Sequence, residues 1–255
     1  MILLILLLLI QSPTQSYLNT TWALEVGNDF FVEESQRHLI QVTGDKKVTS
    51  YFDVTYLWHY QIRAKHGKRL EVVAELEKVR VNNPTEAGAK PSELLRQMKP
   101  SKSTWLFSPT AEGWQCEPVG KPNHAPPFLL LLGSRATDPG SGWKQTWKQI
   151  FPDQGSLLCH LELIPNASTS TSDRLRIRTA ATLERHTGNN QKGKDISKPQ
   201  AIPGIGEFDK QKSRWLYFEV FAKGEWQHES TGSHAVLKHD IYCSYRSYDR
   251  RPSFP

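Results

Sequence analysis

The chain is predicted to be mainly β, on three observations. Apolar and polar residues alternate over long stretches, turn residues punctuate those stretches, and the order of segments in residues 17–120 returns in residues 121–245. A period of two places successive side chains on opposite faces of a sheet, so each stretch has one apolar face to bury. The predicted architecture is a long curved antiparallel sheet, or two of them, barrel- or sandwich-like, built from two related halves with one short helix.

The first ten residues, MILLILLLLI, are apolar without a break. A membrane-spanning helix needs about twenty such residues, so this run does not cross a bilayer. It matches the apolar region of a secretory signal peptide, with Pro13 as a breaker and the small residues Thr14 and Ser16 before a cut. Residues 1–16 are read as a signal peptide, with no transmembrane segment after its removal. The mature protein is expected to be secreted, or periplasmic in the cell envelope.

Beyond the signal, Trp22, Leu24 and Val26 alternate, GND turns the chain, and Phe30 and Val32 resume the pattern before a short strand from His38 to Thr43. The strongest alternation sets Phe52, Val54, Tyr56, Trp58, Tyr60 and Ile62 against Asp53, Thr55, Leu57, His59, Gln61 and Arg63. The turn AKHGK follows, with Gly67 free to take positive φ. Its return strand buries Leu70, Val72, Ala74 and Leu76 and exposes Glu71, Glu75 and Glu77. Strands of this length reach about 40 Å at about 3.3 Å per residue, and must twist and coil. KPSELLRQMKP is the predicted helix, capped by Ser92, with Glu93 in its first turn and Pro100 as its stop.

The second half begins at GSGWKQTWKQIFPDQG and buries Leu157, Cys159, Leu161 and Leu163 on its first long strand. PNASTSTSD turns the chain, and the return strand buries Leu175, Ile177, Ala181 and Leu183 while Arg174, Arg176 and Arg178 point the other way. A polar loop, Thr187 to Pro203, is expected to be mobile. GIGEFDKQKSRWLYFEVFAKGEW is read as a turn, a strand, a glycine-centred turn and a strand. Residues 246–255 close the aperiodic stretch SYRSYDRRPSFP and are expected to form a disordered tail.

STWLFSPTAEGWQCE (103–117) and SRWLYFEVFAKGEWQHE (213–229) share the order Ser, any residue, Trp, Leu, aromatic, then Gly, Trp-Gln and Glu. Trp105 and Trp215 are therefore read as matched positions of one internal repeat. Their first reading is core. With Tyr217 they are also candidates for the wall of a greasy-ligand site. The export signal, the LEVGNDF opening, the VTYLWHYQI hairpin, the GSGW entry and the late GIGEFD turn together resemble a family of exported bacterial β-sheet proteins of unknown function. The resemblance spans most of residues 22–245. Where such proteins often carry a Gly- and Asp-bearing turn, this chain has NNPTEAGAKPSELL. The resemblance implies a fold and assigns no activity and no functional residue.

At 38% hydrophobic and 23% charged residues the composition is that of a folded globular chain. The net charge of +6 is dispersed among 26 acids instead of gathered into one patch, which argues against nucleic acid as a partner. Cys116, Cys159 and Cys243 are too few for a disulfide scaffold; any one pairing is compatible with the spacing, as is burial of each as a small hydrophobe. Asn19 and Asn166 open N-glycosylation sequons that matter only in a secretory pathway that uses them. The histidines, including His59, His66, His228, His234 and His239, lack the tight paired spacing of a zinc site.

No Gly-x-Ser-x-Gly elbow occurs, and GIG lacks the rest of a phosphate cradle. No cofactor and no metal are expected. Arg174, Arg176 and Arg178 form a stripe suited to phosphoryl groups or an acidic surface, or else a solvated face balanced by acids of a neighbouring strand. The glutamates 71, 75 and 77 are a second candidate partner for that stripe. The function these features favour is a non-catalytic binding protein, with a hydrophobic ligand such as a lipid or an envelope protein as partner. A structural or interaction module without ligand is the alternative, and an uncharacterised hydrolase the third reading.

Overall fold

A computed structural model describes residues 18–44, 47–82, 101–110, 113–121, 130, 132, 135–136, 142–151, 155–166, 168–186, 194–195, 204–230 and 233–253. The expected signal peptide and the expected helix at 90–100 lie outside these residues, as does all of the 187–203 loop except Lys194 and Asp195. The described residues form fourteen strands. In chain order these are β1 (Leu18–Asn19), β2 (Asp29–Thr43), β3 (Val48–His66), β4 (Arg69–Val81), β5 (Lys102–Thr110), β6 (Gly113–Val119) and β7 (Arg135–Ala136). They continue as β8 (Trp143–Phe151), β9 (Gly155–Pro165), β10 (Arg174–His186), β11 (Lys194–Asp195), β12 (Gly204–Asp209), β13 (Arg214–Ser230) and β14 (Ser233–Tyr248).

One antiparallel sheet runs β6-β5-β4-β3-β2-β14-β13-β12-β10-β9-β8, with β11 added beside β13, while β1 and β7 pair separately. The two ends of the path, β6 and β8, are not paired with each other, so the sheet is open. It consists of two meanders joined where β2 meets β14, from Thr43 opposite Val236 to Phe31 opposite Tyr248. Local hairpins build each meander, and Gly67 supplies the positive φ (63°) that the β3–β4 turn needs.

A single apolar cluster covers the inner face. It draws Leu70, Val72 and Phe107 from one meander and Leu163, Leu175 and Ile177 from the other, with Trp22, Leu130 and Leu132 filling from the connections. The predicted inward set of β4 (Leu70, Val72, Ala74 and Leu76) is buried, and so are Val54, Trp58, Tyr60 and Ile62 of β3. Tyr56 is only half-buried. On the other face of β3, Asp53, Thr55 and Leu57 are buried as well, whereas His59 and Gln61 are half-buried and Arg63 is exposed. Asp53 accepts from Arg37, Tyr51 and Asn82, and Thr55 accepts from Asn82 and bonds Ser35, so these polar groups are satisfied where alternation alone predicts solvent.

Four expectations are corrected. First, GIGEFD is the strand β12 and no turn. A Cβ at Gly204 would stand 2.5 Å from the Glu219 carbonyl oxygen and from Thr179 Oγ1, and one at Gly206 would stand 2.9 Å from Cζ3 of Trp215. These glycines serve close approach. Second, the two Trp-Leu-aromatic segments fold differently. The first is a hairpin, with Thr110 opposite Gly113. The second is one 17-residue strand, in which Gly224 sits mid-ladder opposite His239. Continuous pairing to β14 from Tyr217 to Ser230 carries that strand through the glycine.

Third, a bulge between Glu207 and Phe208 sets Phe208 opposite Trp215 and Glu207 opposite Tyr217, which skips Leu216. Trp215 therefore shares the inner face with Phe218, and simple alternation fails there. Fourth, the strand β14 continues into the segment expected to fray. Tyr245 and Ser247 are inward residues of β14, and the Ser247 hydroxyl donates to the Trp215 carbonyl at 2.6 Å. Beyond the strand, Asp249 pairs with Lys212 and Arg214, and Arg251 reaches Glu77 on β4 at 2.9 Å.

Candidate functional site

The residues singled out from the sequence do not converge. Arg174 pairs with Asp209 at 3.1 Å, and Arg176 lies 3.6 Å from Glu207, both on the adjoining strand β12. Arg178 has Ile164 and Ile205 as its cross-strand neighbours. The stripe is thus answered locally by β12. Its proposed partners are engaged elsewhere: Glu71 with His66, Glu75 with Lys102, and Glu77 with His59 and Arg251. Burial pushes the Asp209 carboxyl up, but the Lys212 and Gln211 amides and Arg174 outweigh it and hold the group below the usual range.

Trp105 and Trp215 are inner-face core residues, and the Trp215 indole donates to the Leu132 carbonyl at 3.1 Å. Tyr217 lies on the outer face, where its hydroxyl donates to Glu219 and Arg246 sits 5.1 Å from its ring centroid. Cys116 and Cys243 are free thiols, and the side chain of Cys159 is outside the described residues. Burial, with the nearby Glu117 charge, pushes the Cys116 thiol up to about 11, which disfavours the thiolate at neutral pH. Among the described residues no three His, Cys, Asp or Glu side chains come together as metal ligands. No helix among them is long and apolar enough to cross a membrane.

Two other places carry unusual chemistry. On the outer face a groove of about 450 Å³ crosses β3, β2, β14 and β13. Cross-strand register builds it from two rows. One row is Phe221, Tyr242, Arg37 and Asp53, and the other Lys223, Asp240, Leu39 and Tyr51. Phe221 and Tyr242 are in ring contact at 4.5 Å, and the Arg37 guanidinium lies 5.8 Å from the Tyr242 ring. Asp53 anchors Arg37 through Nε at 3.1 Å, and Asp240 pairs with Lys223 at 2.9 Å. Every cation here has a carboxylate, so the groove is electrically balanced: an aromatic and aliphatic floor with a polar rim. Its cue in the sequence is Leu39, Phe221 and Tyr242 at outward positions, where a solvated face would carry polar residues.

On the inner face, β2 interrupts the core with Glu34, Gln36 and His38. The carboxyl of Glu34 accepts from Trp58 Nε1 at 2.8 Å and from Gln36 Nε2 at 2.7 Å. Burial raises its pKa, and hydrogen bonds from Gln36, Trp58 and Tyr245 act against that rise without cancelling it. His38 Nδ1 and His239 Nε2 lie 3.1 Å apart across β2 and β14, both buried. Burial drops His38 to about 4. Sequence reading missed this polar row because the apolar pattern of β2 breaks at Glu34, which ends the alternation that finds strands.

No protein-family model matches the chain, and no curated protein matches it. Among solved structures it is similar to one described as lipid–protein interactions in lipovitellin, with 8% identity and a TM-score of 0.44 over 91% of this chain and 26% of that one. It is also similar to DynF from the dynemicin biosynthesis pathway of Micromonospora chersina, with 10% identity and a TM-score of 0.17 over 90% of this chain and 85% of that one. The chain thus spans about a quarter of the lipovitellin chain.

Proposed function

We propose that the protein is a non-catalytic binding protein, exported to the cell envelope or beyond, that holds an amphipathic ligand in the outer-face groove. The groove carries this reading: a recess of about 450 Å³, floored by Phe221, Tyr242, Leu39 and Tyr51, lies on the face of the sheet opposite the core. Pockets of this size suit small organic ligands, and aromatic floors with a few placed polar groups fix their orientation. Apolar contact with the floor removes both surfaces from water, while Arg37 and Lys223 at the rim receive a polar head. Both carboxylates are engaged by cations, which favours binding over reaction. The apolar run at the start of the sequence supports export.

The test is titration of the purified chain with a fluorescent fatty acid, comparing Phe221→Ser/Tyr242→Ser with the unaltered protein. Micromolar binding that falls at least about tenfold in the double variant supports the reading. Absence of binding, or equal binding by both, rejects it. The alternative, an interaction module that recruits a partner strand, draws on β6 and β8, which among the described residues have a neighbouring strand on one side only.

A further inference from the structure

Given the export proposed above, on which this assignment rests, we infer that Asn166 is an N-glycosylation site. Its side-chain amide nitrogen is the acceptor for an oligosaccharide attached in the secretory pathway. Asn166, Ala167 and Ser168 form the Asn-x-Ser acceptor pattern, with no proline at its centre. The pattern is common in sequences, so its place in the fold decides whether a glycan can be carried. In the transfer, Nδ2 attacks the anomeric carbon of an oligosaccharide held on a lipid pyrophosphate. A nitrogen–carbon bond forms, the carbon–oxygen bond to the pyrophosphate breaks, the lipid pyrophosphate leaves with that electron pair, and the nitrogen gives one proton to a base of the transferring enzyme. Transfer to the emerging chain precedes folding, so the native structure must accept the product.

Asn166 opens the connection from β9 to β10, residues 166–173. Its backbone carries the turn. The N–H donates to the Arg176 carbonyl at 2.8 Å, and the carbonyl accepts from the Ser170 amide at 3.1 Å and from the Ser170 hydroxyl at 2.7 Å. The carboxamide oxygen accepts from the Ser168 hydroxyl at 2.8 Å, a contact local enough to form before the fold does. Among the described residues Nδ2 has no hydrogen-bond partner, so a sugar on it displaces no bond of the turn. Asn166 is half-buried, and Ser168 and Thr169 are exposed. Among the described residues the connection is tied to the neighbouring turn at its far end. There Lys210 donates from Nζ to the Thr171 carbonyl at 2.8 Å and from its amide to the Asp173 carbonyl at 2.9 Å, and Gln211 reaches the Asp173 carboxylate at 3.0 Å. A bulky, polar glycan needs a surface loop of this kind. The other acceptor pattern, at Asn19, is placed differently: Asn19 belongs to β1, opposite Arg135 of β7, and Thr20 beside it is fully buried.

The experiment produces the full chain in a eukaryotic secretory host in two versions, one with its own residues 1–16 and one with a proven secretory leader in their place. Protein from cells and from medium is treated with peptide-N-glycosidase in heavy-oxygen water, which turns a glycan-bearing asparagine into labelled aspartate, and is mapped by mass spectrometry. Labelling at position 166 with a matching loss of mass is expected. Asn166→Gln and Ser168→Ala are expected to abolish both, and Ser168→Thr to keep them, since the transferring enzyme reads a hydroxyl two residues beyond the asparagine. Absence of sugar from Asn166 in the version with the proven leader, sugar on Asn19 alone, or full labelling in Ser168→Ala overturns the proposal. If the version with its own residues 1–16 stays unsecreted and unmodified while the other carries sugar on Asn166, the export reading falls and the acceptor assignment stands, so the two failures are told apart.

Discussion

The Trp215 indole lies over Gly206, so that a Cβ added there would stand 2.9 Å from Cζ3 of the ring and 3.1 Å from Phe218. The ring meets Phe208 and Phe218 edge-on at 5.4 and 5.3 Å, and no flexible neighbour can yield. Gly206→Ala should therefore destabilise the protein by about 1–3 kcal/mol, the usual cost of overpacking a core. Chemical denaturation of the two proteins at neutral pH checks this.

Asp53 gathers Arg37, Tyr51 and Asn82 around one buried carboxylate. Asp53→Ala strands these donors and frees Arg37 from its place beside Tyr242. A loss of about 2–4 kcal/mol is expected, with weaker ligand binding in the groove even at temperatures where the variant is folded. Unaltered groove binding in a folded variant would show that Arg37 needs no anchor.

His38 should make the fold acid-sensitive. Its pKa is held near 4 in the folded chain against an ordinary value of 6.5, so between these the unfolded chain takes up a proton that the folded chain refuses. Stability is full above about pH 6.5 and falls by about 3 kcal/mol as the pH drops toward 4. Denaturation at pH 7 and at pH 4.5 should show the fall, and His38→Gln should flatten it.

The arginine stripe should be energetically uneven. Arg174 faces the buried Asp209 at 3.1 Å, whereas Arg176 and Arg178 are exposed. Arg174→Ala is expected to cost about 1–2 kcal/mol and to let Asp209 titrate at higher pH; the other two substitutions should stay within about 0.5 kcal/mol. Thermal unfolding of the three variants, with pH titration of the first, separates them.

Strand content was readable wherever one face of a strand is apolar throughout. Leu70 to Leu76 and Leu175 to Ala181 needed no tertiary knowledge, since burial of one face follows from the two-residue period. The reading failed where a residue's role depends on a neighbour distant in the chain. Gly206 reads as a turn until Trp215 is seen above it, and Gly224 reads as a turn until β14 is seen beside it. Ser247 reads as tail until the Trp215 carbonyl receives its hydroxyl. The candidate sites were less legible still. The groove joins side chains from β3, β2, β14 and β13, and the pairing of β2 with β14 brings together residues about 200 positions apart.

From its order of residues alone this chain is committed to long antiparallel strands and to most of its core, because alternation and turn chemistry act over a few neighbours. Which strands meet is a matter of tertiary structure. The junction of β2 with β14, the bulge that turns Trp215 inward, and the carboxyl of Glu34 set between two tyrosines all arise from register between distant segments, which no local pattern encodes.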